Sequence, residues 1–187
     1  MISIIKVKIK IFGVFVLCSV LTGCASVSVQ DDSSEFYAKQ FNVPPSGWAG
    51  LYLYRPCDFF GMSLKKNLYV DGQYIGETSR CRFFYRLVKP GMHTLQTESE
   101  FSENDISLNF IEGKNKYVVQ YIKPGLFVGG AFLKEQDEEE AKKEIINCKL
   151  AANQDDPEMN LKLFKNELGQ GSIPAQKNYG EARTLDK

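Results

Sequence analysis

From Trp48 onward the chain alternates apolar and polar positions with a period of two, as half-buried strands do. In AGLYLYR (49–55) Leu51 and Leu53 fall on one face, Tyr52 and Tyr54 on the other. NLYVDGQYIGE (67–77) is the sharpest unit. Its central Asp71-Gly72 suits a type I′ turn, in which both central residues take positive φ. The segment therefore predicts a hairpin with strands 67–70 and 73–77. CRFFYRLV (81–88) sets Phe83, Tyr85 and Leu87 against Arg82, Phe84 and Arg86. Pro90-Gly91 then turns the chain, and MHTLQTES (92–99) returns. DISLNFI (105–111) places Ile106, Leu108 and Phe110 on one face. KYVVQYI (116–122) is apolar on both faces, as a central strand is. LFVGGAFLKE (126–135) resumes after Pro124-Gly125, with Gly129-Gly130 at a bulge or a close backbone approach.

The period changes once, at DEEEAKKEIINCKLA (137–151). Asp137 with Glu140 three residues on resembles a capping box, and acids fill the first turn where the helix dipole favours them. Glu138–Lys142 and Glu139–Lys143 are supporting i,i+4 pairs, while Ala141, Ile145 and Cys148 line one side. About seven short strands with frequent turns, plus this C-terminal helix, predict an antiparallel, Ig-like β-sandwich over 47–151. Upstream, ASVSVQDDSS is small and polar, so 24–46 is expected to act as a tether. Within it, EFYAKQF is expected to form a helical turn that docks through Phe36 and Phe41. Beyond Ala152 the chain is polar and rich in Gly and Pro, and 152–187 is expected to be a largely disordered tail.

The first residues follow another logic. Lys6, Lys8 and Lys10 precede an uncharged stretch, IFGVFVLCSVLTG (11–23), too short to cross a bilayer. A basic start and a short apolar run form a secretory signal. The A-x-A-like ending of soluble exported proteins is absent; Leu21-Thr22-Gly23-Cys24 resembles the bacterial lipobox at all four positions. That resemblance implies cleavage after Gly23, removing 1–23 as a signal peptide, and acylation of Cys24. Two or more acyl chains hold stably where one holds weakly. Ala25, in place of an inner-membrane retention Asp, points by resemblance to the outer membrane.

Composition then narrows the partners. The full chain balances 23 basic against 23 acidic residues. Losing the three signal lysines leaves the mature chain about three charges negative, with no electrostatic footprint for nucleic acid. Of five cysteines, Cys57, Cys81 and Cys148 remain for an oxidising compartment. Three pairings, or none, are open; positions at the edges of predicted strands favour Cys57 with Cys81. No C-x-x-C occurs and His93 is the lone histidine, so no metal site and no cofactor are expected.

One set of motifs carries a family resemblance. Ala38-Lys39 with Phe41, Pro44-Pro45, Tyr52 with Tyr54-Arg55, Tyr69 to Glu77, Pro90 to Thr94 and Gly113 to Tyr121 are similar to a bacterial lipoprotein family defined by a domain of unknown function. The likeness spans about residues 38 to 151. The hairpin with its PG-x-H-T turn also resembles PEGA-type modules and transthyretin-like sandwiches, which implies the fold and no activity. Cys81 and the long tail depart from the family pattern.

Candidate chemistry is sparse. His93 has no nucleophile beside it and is expected to bond a strand backbone. Glu98, Glu100, Glu103 and Asp105 crowd one loop without partner groups. Tyr52, Tyr54, Arg55, Arg82, Phe84 and Arg86 have the composition of a contact face, or of a second buried strand face. The expectation is a non-enzymatic lipoprotein of the outer membrane, facing the periplasm. It would bind an envelope protein or glycan and meet the bilayer through Cys24. The alternative is an envelope enzyme, or its accessory subunit, acting on glycan through the acidic loop 98–105.

Overall fold

The computed structural model describes Val27 and residues 29–99, 104–124 and 129–154. The signal peptide, Cys24, Glu100, Glu103 and the tail after 154 lie outside the described residues. The alternating segments become β1 (Ala49–Arg55), β2 (Lys66–Val70), β3 (Gln73–Thr78), β4 (Arg82–Val88), β5 (Gly91–Thr97), β6 (Asp105–Phe110), β7 (Asn115–Lys123) and β8 (Gly130–Gln136). A two-residue β9 (Lys149–Leu150) follows the C-terminal helix. The β2–β3 turn has positive φ at both Asp71 and Gly72, as the sequence requires.

The strands form two sheets in the orders β8-β7-β1-β4-β9 and β3-β2-β5-β6. Leu51, Leu53, Phe84, Val118 and Leu133 of the first pack against Leu68, Val70, Ile75, Leu95, Leu108 and Phe110 of the second. This is a β-sandwich, yet not an all-antiparallel one. β7 runs parallel to β1, and β9 parallel to β4. The chain builds the four-stranded sheet in two pairs, β2–β3 before β4 and β5–β6 after it, so β7 returns beside β1 without a hairpin to set its direction. β7 lies between β8 and β1, which accounts for its two apolar faces.

The far face of the five-stranded sheet is also covered. Helix α1 (Asp32–Ala38) and helix α2 (Glu138–Ile145) lie over Tyr52, Tyr54, Phe83, Tyr85, Tyr117 and Val119. Asp137 caps α2 by accepting the N–H groups of Glu139 and Glu140. Tyr52 donates its hydroxyl to the Ala38 carbonyl at 2.7 Å, and Tyr54 donates to Glu144 at 2.5 Å. Each ring thus adds buried area and also fixes a helix.

The tether expected over 24–46 is not what the described part of that segment forms. Val27 is buried in the inter-sheet core, Val29 bridges Ala151, and the Gln30 N–H bonds the Leu150 carbonyl at 2.9 Å. In α1, Ser34, Glu35 and Ala38 are buried. Phe41 docks against the tyrosine cluster, but Phe36 points outward, because it lies on the opposite face of the helix turn. The polar letters of this segment make capping and hydrogen-bond contacts, which composition alone reads as solubility. The domain also extends past 151. Asn153 donates to the Tyr85 carbonyl, and the Gln154 N–H reaches Ile75 of β3, so residues 149–154 close one side of the sandwich.

Candidate functional site

The aromatic and arginine residues read as a contact face or a second buried strand face do not share a surface. β1 and β4 are interior strands covered on both sides, so Tyr52, Tyr54 and Phe84 are fully buried. Tyr52 and Tyr54 lie under the helices, whereas Phe84 lies between the sheets against Gly76. Burial also drives the Tyr52 and Tyr54 hydroxyl pKa values upward, keeping them neutral donors. Arg82 is half-buried and donates to the Cys81 carbonyl. Arg86 lies four positions along β4, near Asp71 at the other end of the sandwich.

His93 and Glu98, the described start of the acidic loop, are separated as well. His93 Nδ1 is 2.6 Å from Asp71 Oδ2, Nε2 is 2.7 Å from the Lys89 carbonyl, and its ring meets Phe110 edge-on. Asp71 also accepts the Thr94 N–H. Burial would raise the Asp71 carboxyl pKa, but His93, the Thr94 N–H and Arg86 hold it below the ordinary range. Glu98 follows the opposite end of β5, about 17 Å away at strand rise, and accepts from Asn67. This geometry locks a hairpin turn to the neighbouring strand at one end and braces a loop at the other. Among the described residues it brings His93 to neither Glu98 nor Asp105.

The most elaborated surface lies at the Arg55 end. Cys57 and Cys81 are joined by a disulfide, as the strand-edge positions favoured. Between β1 and β2 the loop of residues 56–65 is held by two guanidinium groups. Arg55, itself buried, donates Nη1 to the Leu64 carbonyl at 2.7 Å and Nη2 to that of Gly61. Burial lowers its pKa to about 10, and Asp58 nearby opposes the fall. From the other side Arg80 Nε donates to the Cys57 and Asp58 carbonyls at 3.0 and 2.9 Å. Within the loop, the Met62 and Leu64 N–H groups close back onto the Phe59 and Gly61 carbonyls. Gly61 has positive φ, and a Cβ there would come within 2.7 Å of Ile122.

This fixed backbone holds its largest side chains outward. Phe59 is 83% exposed, with Phe60 and Met62 also exposed beside it. Gly129 continues the close packing: its Cβ position would lie 2.9 Å from Leu64, and its carbonyl accepts from buried Lys66. The sequence carried a signal for this site in FFGM, an apolar run without period in a Pro- and Gly-marked stretch. The roles of Arg55 and Arg80 as carbonyl clamps had no signal, since they depend on how the loop folds back.

Comparison with known proteins gives a lineage without an activity. The profile of DUF2846, described as a protein of unknown function, matches residues 45–131. An uncharacterized protein of Haemophilus influenzae strain Rd is 43% identical over 146 residues, covering 78% of this chain and 84% of the relative. No solved structure matches the chain. The matched span runs from Pro45 through the disulfide-clamped loop and the hairpin to the start of β8, and the chain belongs to the DUF2846 family.

Proposed function

We propose that this protein is an acyl-anchored lipoprotein of the outer membrane that faces the periplasm and binds another envelope component, protein or glycan, without transforming it. The observation that carries the reading is the Cys57–Cys81 disulfide in a chain whose start resembles a lipobox. Disulfides persist in exported proteins and are rare in reducing compartments. The separation of His93 from Glu98, at opposite ends of β5, favours binding over catalysis. One flank offers a route to a partner. Among the described residues β8 and β6 are the open edges of their sheets, whereas Val29 covers β9 and Gln154 covers β3. An extended partner segment adds readily to such an edge.

The test is Cys24→Ser in the natural host. The variant is expected to leave the membrane fraction and lose its acyl mass, and unchanged fractionation defeats the anchor. Crosslinking from intact membranes then identifies the bound component. Turnover of envelope glycan by the purified protein defeats the non-enzymatic part.

A further inference from the structure

The start of the described chain lies close to the acylation residue. Three peptide steps separate Cys24 from the buried Val27, a reach of at most about 10 Å. An anchor so short leaves the domain no freedom to stand off the membrane. The flank that carries Val27 to Gln30 must lie against the headgroups. That flank connects to the clamped loop through consecutive contacts: Gln30 N–H to the Leu150 carbonyl, Lys149 N–H to the Cys81 carbonyl, and Cys81 to Cys57. A bilayer plane along this flank meets the loop at its end.

We propose that the loop bearing Phe59, Phe60 and Met62 is seated in the phospholipid leaflet that holds acylated Cys24, with Val29, Phe36 and Ile146 beside it. The proposal rests on the lipoprotein reading and deepens it. Three features point to lipid. The side chains concerned are large, apolar and exposed. Exposed cations border them: Arg80, and Lys149 over the carboxylate of Glu35, suited to headgroup phosphates. Above all, the loop carbonyls of Cys57, Asp58, Phe59, Gly61 and Leu64 already accept hydrogen bonds from within the protein. A backbone entering an apolar medium must have its polar groups satisfied. Arg55 and Arg80 meet that requirement at four of these carbonyls before contact, so the loop enters with much of its backbone already paired.

The experiment uses the full mature chain with Trp48→Phe and Phe59→Trp, reconstituted in phosphatidylethanolamine–phosphatidylglycerol vesicles, its acyl group verified by mass. The indole emission is expected to shift to the blue and to be quenched by lipids brominated on their acyl chains. An acylated chain whose indole stays water-exposed overturns loop insertion and leaves the lipoprotein reading standing. An indole that is shielded yet untouched by brominated lipid also overturns it, in favour of a protein partner. A mature chain with no acyl group defeats the lipoprotein reading instead. As a second measurement, unacylated chain is sedimented with the same vesicles, and Phe59→Ser with Phe60→Ser and Met62→Ser is expected to abolish the residual binding. These positions are exposed, so the fold survives the change; sedimentation equal to the parent overturns the proposal.

Discussion

Glu35 Oε2 accepts the backbone N–H of Leu150 at 3.1 Å, across 115 residues of sequence. The same carboxylate binds Lys39 at 2.9 Å and Lys149 at 3.3 Å, and Lys39 in turn donates to the Ile146 carbonyl. One acidic side chain thus ties the N-terminal helix to the last strand and to the end of α2. Burial works to raise its pKa, but Lys39, the Leu150 N–H and Lys149 outweigh that and hold it below the usual carboxylate range. A carboxyl depressed in the folded state adds stability that is complete above its unfolded pKa, about 4.3. That stability is lost as pH falls from there through the folded value. Glu35→Gln is expected to cost about 1.5–3 kcal/mol at neutral pH, the range for hydrogen bonds to a charged group. The gap from the parent should narrow below about pH 4. Urea unfolding across pH checks both; a gap that does not change with pH removes the carboxylate from this role.

The Cys57–Cys81 bond closes a loop with a sequence separation of 24. On the chain-entropy account, losing that constraint costs about 3.5 kcal/mol. Cys57→Ser with Cys81→Ser is therefore expected to lower Tm, and reductant to lower the parent's Tm by a similar amount. A second consequence is local. Without the bond residues 57–62 depend on the Arg55 and Arg80 clamps and on their own turn bonds, so limited proteolysis is expected to cut there first. Scanning calorimetry with and without reductant, and mapping of the first cleavage, measure the two effects.

The features legible in the sequence were those set by local chemistry. Asp71-Gly72 can take positive φ at both positions, and it does. Asp137 precedes an acidic first turn and caps α2. Strand faces followed from period two, so Leu51 and Leu53 separate from Tyr52 and Tyr54 as written. Features set by distant partners were not legible. Nothing in KYVVQYI says that it lies parallel to AGLYLYR, because pairing depends on the route of the chain between them. Whether the aromatic residues form a contact face or a buried one was not legible for the same reason. A ring's alternation gives its side of the strand, and only the layers above and below decide whether that side meets water. In the N-terminal segment, Glu35 looks like a solubilising residue until Leu150 and Lys149 are placed beside it.

Cys148 is the free cysteine among the described residues, buried against the tyrosine cluster near the Arg55 and Glu144 carbonyls. Burial pushes its thiol up to about 12, with Lys39 pulling weakly the other way. The thiolate is the reactive form, so this thiol is inert at neutral pH although it packs in the same cluster as a disulfide. Iodoacetamide at pH 8 is expected to leave it unmodified in the folded protein and to label it in denaturant. The native labelling rate should follow global unfolding and rise as urea approaches the transition. Rapid labelling without denaturant contradicts the packing of α2 over β4.

Gln120 bridges the two sheets from inside the core. It projects from β7, accepts the Thr78 hydroxyl of β3, and donates to the Thr97 hydroxyl of β5 at 2.6 Å. Thr97 in turn donates to the Asn67 carbonyl, and the Lys66 carbonyl at 3.3 Å is the alternative acceptor for the single Thr78 proton, so this polar group is paired on every side shown. All three side chains are buried, at the same end of the sandwich as Arg55 and Lys66. Such a bridge favours one register of the sheets, since a slip of one residue would strand an amide in apolar surroundings. Gln120→Leu keeps the volume but leaves two hydroxyls each with one partner fewer, and is expected to cost about 1–3 kcal/mol. Gln120→Leu with Thr78→Val and Thr97→Val removes the orphaned groups together. The triple variant should therefore be more stable than the single one, a reversal that a pure volume effect does not produce. Chemical denaturation of the parent, the single and the triple variant decides this, and a triple variant less stable than the single would show that the hydroxyls act mainly through their backbone carbonyl bonds.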